Sequence, residues 1–148
     1  PLKWLYAIAI VAILSFTVYF MAFYESISTE EAAFRAGEYF QELTNGTNPG
    51  ALYNNWNSTY FQESTSEFQY AAFLSENPIV YDVDYIEFTY QAIEKTDIGK
   101  KAILGGTIHA NDDSTALLEA HLVKENDQYK MLFFAFNYPE TTEEINEE

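Results

Sequence analysis

The pattern of apolar and polar positions changes character twice along the chain. From Trp4 to Tyr24 it is apolar all round: 21 consecutive residues carry no charge, no glycine and no proline. As a helix this run extends about 31 Å at 1.5 Å per residue, enough to cross the hydrocarbon core of a bilayer. From Ser28 to about Thr44 the apolar residues Ala33, Ala36, Phe40 and Leu43 recur at helical spacing, and Asn45-Gly46 stops the run. From Ile79 onward the period is two, which predicts strands.

The junction admits two readings. Ser28-Thr29-Glu30-Glu31 has capping-box spacing, which favours a bend at Ser28. Only Glu25-Ser26-Ile27 separates the two runs, so one helix of about 40 residues stays open. Residues 45–62 read as loop, with Asn-Gly-Thr-Asn-Pro-Gly and then Asn54-Asn55-Trp56-Asn57. A second helix is expected near 64–75, where Ser64 and Glu67 repeat the capping-box spacing and Asn77-Pro78 ends it. Tyr81, Val83 and Tyr85 then alternate with acids. Ile86, Phe88, Tyr90 and Ala92 continue in the opposite phase, which signals a β-bulge. Three more strands follow at about 101–110, 115–124 and 128–137, joined by short turns. Gly105-Gly106 sits mid-strand, where it permits a close approach or curls the sheet. The fold class is therefore α+β: a single N-terminal transmembrane helix, then helices packed on a four-stranded antiparallel meander. The expected division is an anchor at 1–25, an extracytoplasmic domain at 26–140 and an acidic disordered tail at 141–148.

Aromatic residues mark both ends of the apolar run. Trp4 and Tyr6 lie at one end, and Tyr19 and Tyr24, with Phe20 and Phe23, at the other. They are the expected interface anchors, since amphipathic rings settle at headgroup level. Lys3 precedes the run, and all 23 acidic residues follow it from Glu25 onward. The positive-inside rule places the N-terminus in the cytoplasm and the C-terminal domain outside it, a single-pass membrane arrangement. A cleaved signal peptide is the competing reading. The run is longer than a signal h-region and Met21-Ala22-Phe23 does not fit a cleavage site, whereas Ser26-Ile27-Ser28 could be cut. The segment has no small-xxx-small pair and nothing ionisable, which argues against transport or proton relay there.

Composition narrows the function. Beyond the anchor six basic residues face 23 acidic ones, so nucleic acid is not an expected partner. With no cysteine, disulfides and thiolate chemistry are excluded. Aromatics make up 18% of the chain. That is more than a small core easily hides, and the surplus suggests a face for a partner. Tyr53, Trp56 and Tyr60 are the expected partner contacts.

Candidate chemistry is sparse. His109 and His121 fall several residues apart if Ala110 pairs with Thr115, which puts His109 opposite Ala116 and His121 opposite Leu104. Asp82, Asp84 and Glu87 crowd one strand, where alternation predicts a solvated face. Asn111-Asp112-Asp113 lacks the downstream spacing of a calcium loop and reads as a hairpin turn. Asn45 and Asn57 head glycosylation sequons, Asn45-Gly46-Thr47 and Asn57-Ser58-Thr59. No cofactor, metal or catalytic set is expected.

The C-terminal half carries a family resemblance. The residues are Lys101-Ala102-Ile103-Leu104, then Thr115 to Glu125 with its Leu122-Val123-Lys124-Glu125 ending, then Gln128-Tyr129-Lys130-Met131-Leu132. This hairpin pattern resembles the cystatin-like, nuclear transport factor 2-like superfamily, in its small membrane-tethered members, with Tyr129 where tryptophan is usual. The resemblance implies helices on a curled meander. Enzymes of that superfamily place acid, histidine or tyrosine groups inside the sheet's cone. No such set maps onto this chain, so a non-catalytic member is implied. A weaker similarity is to single-pass assembly factors of mitochondrial translocases and cytochrome oxidase. The order of elements also resembles type IV pilin subunits, although Leu5 stands where their glutamate is expected and Pro1-Leu2-Lys3 is not their usual end. The expected role is an accessory or assembly subunit, partnered by the bilayer and by integral subunits of a larger membrane complex. The alternatives are a self-assembling pilin-like filament subunit, and a small-ligand-binding module using the sheet cavity.

Overall fold

The computed structural model describes residues 2–139, with side-chain placement from Ile10. Helix α1 runs unbroken over Leu2–Thr44, 43 residues or about 65 Å. The expected bend at Ser28 is absent. Ser28 is no N-cap: it is buried in mid-helix, and its hydroxyl hydrogen-bonds the Tyr129 hydroxyl. With no glycine or proline from Leu2 to Ala36, the backbone has no reason to break, and the hydroxyl is used for tertiary packing instead. The helix closes with the Gly46 N–H donating to the Leu43 carbonyl and the Thr47 N–H to the Glu42 carbonyl, both at 3.0 Å. This is a Schellman motif, and Gly46 supplies its positive φ of 83°.

The connection read as loop contains two short helices. Helix α2 (Pro49–Trp56) is capped by Asn48, whose side chain accepts from the Gly50 N–H, with Pro49 in its first turn. Helix α3 (Thr59–Ser64) is capped by Ser58, which accepts from the Phe61 N–H. Helix α4 (Glu67–Glu76) begins three residues later than anticipated, because its capping box is Ser66 with Gln69 rather than Ser64 with Glu67. A 3-10 turn at Pro78–Tyr81 leads into the sheet.

Strands β1 (Val83–Thr96), β2 (Gly99–Ala110), β3 (Thr115–Glu125) and β4 (Gln128–Asn137) form an antiparallel sheet in sequence order. The expected phase switch is present as a register shift between Val83 and Tyr85. It turns Tyr85 to the outer face, so of the alternating Tyr81, Val83 and Tyr85 only Val83 is buried. A second shift, between Phe88 and Tyr90, lies opposite Gly105 and Gly106. A Cβ on Gly106 would sit 2.3 Å from the Glu87 carbonyl oxygen, so the strands approach here as only glycine allows.

The core lies between one face of the sheet and the C-terminal half of α1 with α2–α4. From α1 it receives Ala32, Ala33, Ala36, Tyr39, Phe40 and Leu43. The β4 residue Phe134 is its hub, with ring centroids 5.4–6.4 Å from Tyr39, Phe40, Phe61, Tyr70 and Phe73. Edge-to-face and stacked aromatic pairs each add about 0.5–1.5 kcal/mol beyond area burial. Much of the aromatic surplus is therefore core. The tail at 141–148 lies outside the described residues.

Candidate functional site

On α1 the core-facing residues Ser28, Ala32, Ala36, Tyr39 and Leu43 fix which side of the helix looks away from the domain. At 100° per residue, Phe16, Phe20, Phe23, Ile27 and Phe34 line up on that opposite side. Phe16 and Phe34 stand about five turns, roughly 27 Å, apart on one azimuth. All five are exposed, Ile27 at 47% and Phe34 at 69%. Up to Tyr24 such exposure is what a helix long and apolar enough to cross a membrane presents. Phe34 lies about 15 Å beyond Tyr24, where a solvated helix would carry a polar residue. The stripe thus continues from the apolar run along the back of the domain. Its spacing is legible in the sequence once the core face of the helix is identified.

The outer face of the sheet is the second unusual surface. An antiparallel sheet covered on one side normally turns polar residues to water. Here Tyr85, Tyr90, Leu117 and Phe133 are exposed. Tyr90, Ile103, Leu117 and Glu119 border a shallow groove of about 400 Å³ whose floor includes Gly105. Two histidine–carboxylate contacts lie on this face. His121 Nε2 is 2.7 Å from Glu119 Oε1, and His109 Nε2 is 3.8 Å from Glu87 Oε2, too long for a hydrogen bond. The Tyr85 and His109 rings stack at 4.3 Å.

The histidine register differs by one residue from that expected, because His109 rather than Ala110 pairs with Thr115. His109 therefore faces Thr115, and His121 faces Ile103. They stay apart, six positions along β3 or about 20 Å. Asp82 is tied into the β2–β3 turn, accepting from the Asn111 amide at 3.0 Å, while Asp84 and Glu87 are exposed. The turn reading of Asn111-Asp112-Asp113 holds. Asp113 takes φ 67°, and Asp112 accepts from the Ser114 N–H at 2.9 Å. Hydrogen bonds from the Ser114 side chain and backbone hold the Asp112 carboxyl below its usual range. Among the described residues no group of three or more His, Asp or Glu side chains is arranged to hold a metal ion.

The expected partner contacts are divided by burial. Tyr53 is buried, with its hydroxyl donating to the Thr65 carbonyl at 2.7 Å. Trp56 is half-buried beneath the Arg35 guanidinium, 3.5 Å from its ring centroid. Tyr60 is exposed. Of the expected interface anchors, Tyr19 and Tyr24 are exposed, while the side chains of Trp4 and Tyr6 lie outside the described ones. The sequons also part. Asn45 is exposed. Asn57 is 3% exposed and accepts from the Tyr39 hydroxyl. Its side chain is therefore not presented to solvent, and its amide nitrogen finds no hydrogen-bond partner among the described residues. No family model matches the chain, and no curated protein is detectably similar to it.

Proposed function

We propose that the protein is a non-catalytic, single-pass accessory subunit of a larger membrane complex, packing lengthwise against a neighbouring helix through the back of α1. The observation that carries this is the unbroken helix with its stripe of Phe16, Phe20, Phe23, Ile27 and Phe34. Among the described residues one helix is long and apolar enough to cross a membrane. The same helix supplies the core of the domain, so span and domain share one stiff element. Retention of the segment is favoured because cleavage near Ser26–Ser28 would cut inside α1 and release the Ser28–Tyr129 contact. The domain is placed outside the cytoplasm on the strength of Lys3. Lys95, Lys100 and Lys101 lie too far along the chain to count in the positive-inside balance. At the domain surface exposed Tyr60 and half-buried Trp56 are the aromatic contacts offered to other subunits of such a complex.

A second reading, a pilin-like filament subunit, is favoured by one feature: an apolar helix that continues without a break into a domain helix backed by a four-stranded meander.

Mild-detergent extraction from native membranes, native electrophoresis and mass spectrometry of what migrates with the chain test both. Stoichiometric co-migration with other membrane proteins, lost in Phe34→Glu, is the expected result. At so exposed a site the change leaves folding within about 0.5 kcal/mol. A ladder built from this chain alone would move the assignment to the filament, and a free monomer would overturn both.

A further inference from the structure

Where α1 leaves the apolar run, it forms a cleft of about 490 Å³ with the β1–β2 hairpin. Phe20, Met21 and Ile93 give it apolar walls. Lys95, Lys100, Glu25 and Ser28 give it polar ones, and Tyr24 stands between. We infer that this cleft binds one anionic glycerophospholipid, with the phosphate at Lys95 and Lys100 and the start of an acyl chain along Phe20 and Met21.

Three observations converge. The first is depth. Phe20 and Met21 lie inside the apolar run and Glu25 just beyond it. From Phe20 to Ser28 the cleft follows about 12 Å of helix, a little over two turns, and so crosses the boundary between hydrocarbon and headgroups, a layer of roughly 5–7 Å per leaflet. The second is charge. The domain is overwhelmingly acidic, yet three of its six basic residues are gathered on this hairpin, as Lys95, Lys100 and Lys101. Two lysines and one carboxylate line the cleft, leaving it positive. The third is availability. Lys101 is engaged by Glu94 at 3.7 Å, and Lys124 by Glu31 at 3.2 Å. Lys95 and Lys100 have no carboxylate within ion-pair distance among the described residues. Lys100 Nζ is instead held 4.0 Å over the Tyr24 ring, at headgroup level. Gly99, at φ 112°, makes the turn that returns Lys100 beside Lys95, and the two are paired across the hairpin.

The inference rests on α1 spanning a membrane and does not need the partner subunit, with Phe20 the one residue shared with the stripe on the back of the helix. The full chain is reconstituted in phosphatidylcholine nanodiscs doped with phosphatidylglycerol, and native mass spectrometry counts the lipids retained after release. One retained phosphatidylglycerol is expected, in preference to phosphatidylcholine. Lys95→Gln and Lys100→Gln should each weaken retention on the order of 5-fold, the equivalent of about 1 kcal/mol per lysine at a membrane surface. Lys101→Gln, equal in charge but outside the cleft, should change it little. Equal retention of both lipids, or an equal loss in Lys101→Gln, would overturn the inference while leaving the span intact. Failure of the chain to insert at all would remove the span and the cleft's role together.

Discussion

The Tyr39 and Tyr70 hydroxyls lie 2.6 Å apart in the core, and Tyr39 donates to the Asn57 side-chain oxygen at 3.0 Å. A phenol has one proton, so Tyr70 must donate to Tyr39, giving a directed chain from Tyr70 through Tyr39 to Asn57. Burial, foremost, pushes both phenols well above their ordinary range, and the neighbouring Tyr70 adds to the effect at Tyr39.

These raised values predict alkaline instability. The folded state holds both phenolic protons above pH 10, where the unfolded chain releases them. The stabilisation is therefore full below about pH 10 and is lost as pH rises beyond it, by up to about 1.4 kcal/mol per pH unit per tyrosine. Denaturant titrations of the detergent-solubilised chain at stepped pH should show this slope, and Tyr39→Phe/Tyr70→Phe should flatten it. An unchanged slope in the double variant would assign the alkaline loss to other groups.

The paired glycines of β2 should respond unequally to alanine. A Cβ on Gly106 meets the Glu87 carbonyl oxygen at 2.3 Å and the Phe88 Cα at 3.0 Å, both backbone atoms that cannot turn aside. A Cβ on Gly105 meets only Tyr90 Cβ at 3.4 Å, on the outer face. Gly106→Ala is expected to cost about 1–3 kcal/mol, in line with other overpacking changes. Gly105→Ala should stay within about 1 kcal/mol, as a loss of glycine freedom in a strand partly offsets the contact. Thermal or urea midpoints of the two variants decide the order.

The strands were legible because period two, short turns and a phase switch after Tyr85 leave little freedom, although the bulge itself falls just before Tyr85. The long apolar helix was legible because an uncharged run of that length has few uses. The break at Ser28 misled because capping-box spacing is local, whereas Ser28 is claimed by Tyr129, 101 residues away. Helices α2 and α3 were hidden by an Asn-rich composition that reads as loop, although Asn48-Pro49 and Ser58 are themselves cap signals. Tyr53 was offered as a surface contact because aromatic content says nothing of side. Its partners at Gln62 and Thr65 depend on α2 and α3 packing together. The lipid cleft needed the sheet to bring Lys95 and Lys100 to Tyr24.

The two sequons should behave differently in a glycosylating host. Folded product is expected to carry carbohydrate on Asn45 and none on Asn57, as read by mass spectrometry of glycopeptides. Asn57→Ala, which strips Tyr39 of its acceptor, should cost about 1–3 kcal/mol. A glycan on Asn57 in the folded fraction would contradict the buried placement.

The continuity of α1 can be measured directly, because the chain has no cysteine to compete with introduced labels. Spin labels at Val18→Cys and Gln41→Cys, both exposed positions, are separated by 23 residues, about 35 Å along an unbroken helix. A right-angled bend at Ser28 would bring them to about 25 Å by the same rise per residue. The longer distance is expected, and Ser28→Ala should keep it while costing about 1 kcal/mol for the lost Tyr129 hydrogen bond. Ser28→Pro should shorten or broaden it and destabilise the chain by about 3 kcal/mol or more, since proline removes a backbone donor and clashes with the preceding turn. The outcome bears on function as well as on fold. A bent α1 would separate Phe34 from Phe23 and Ile27, and with them the single face through which span and domain could engage one neighbouring helix.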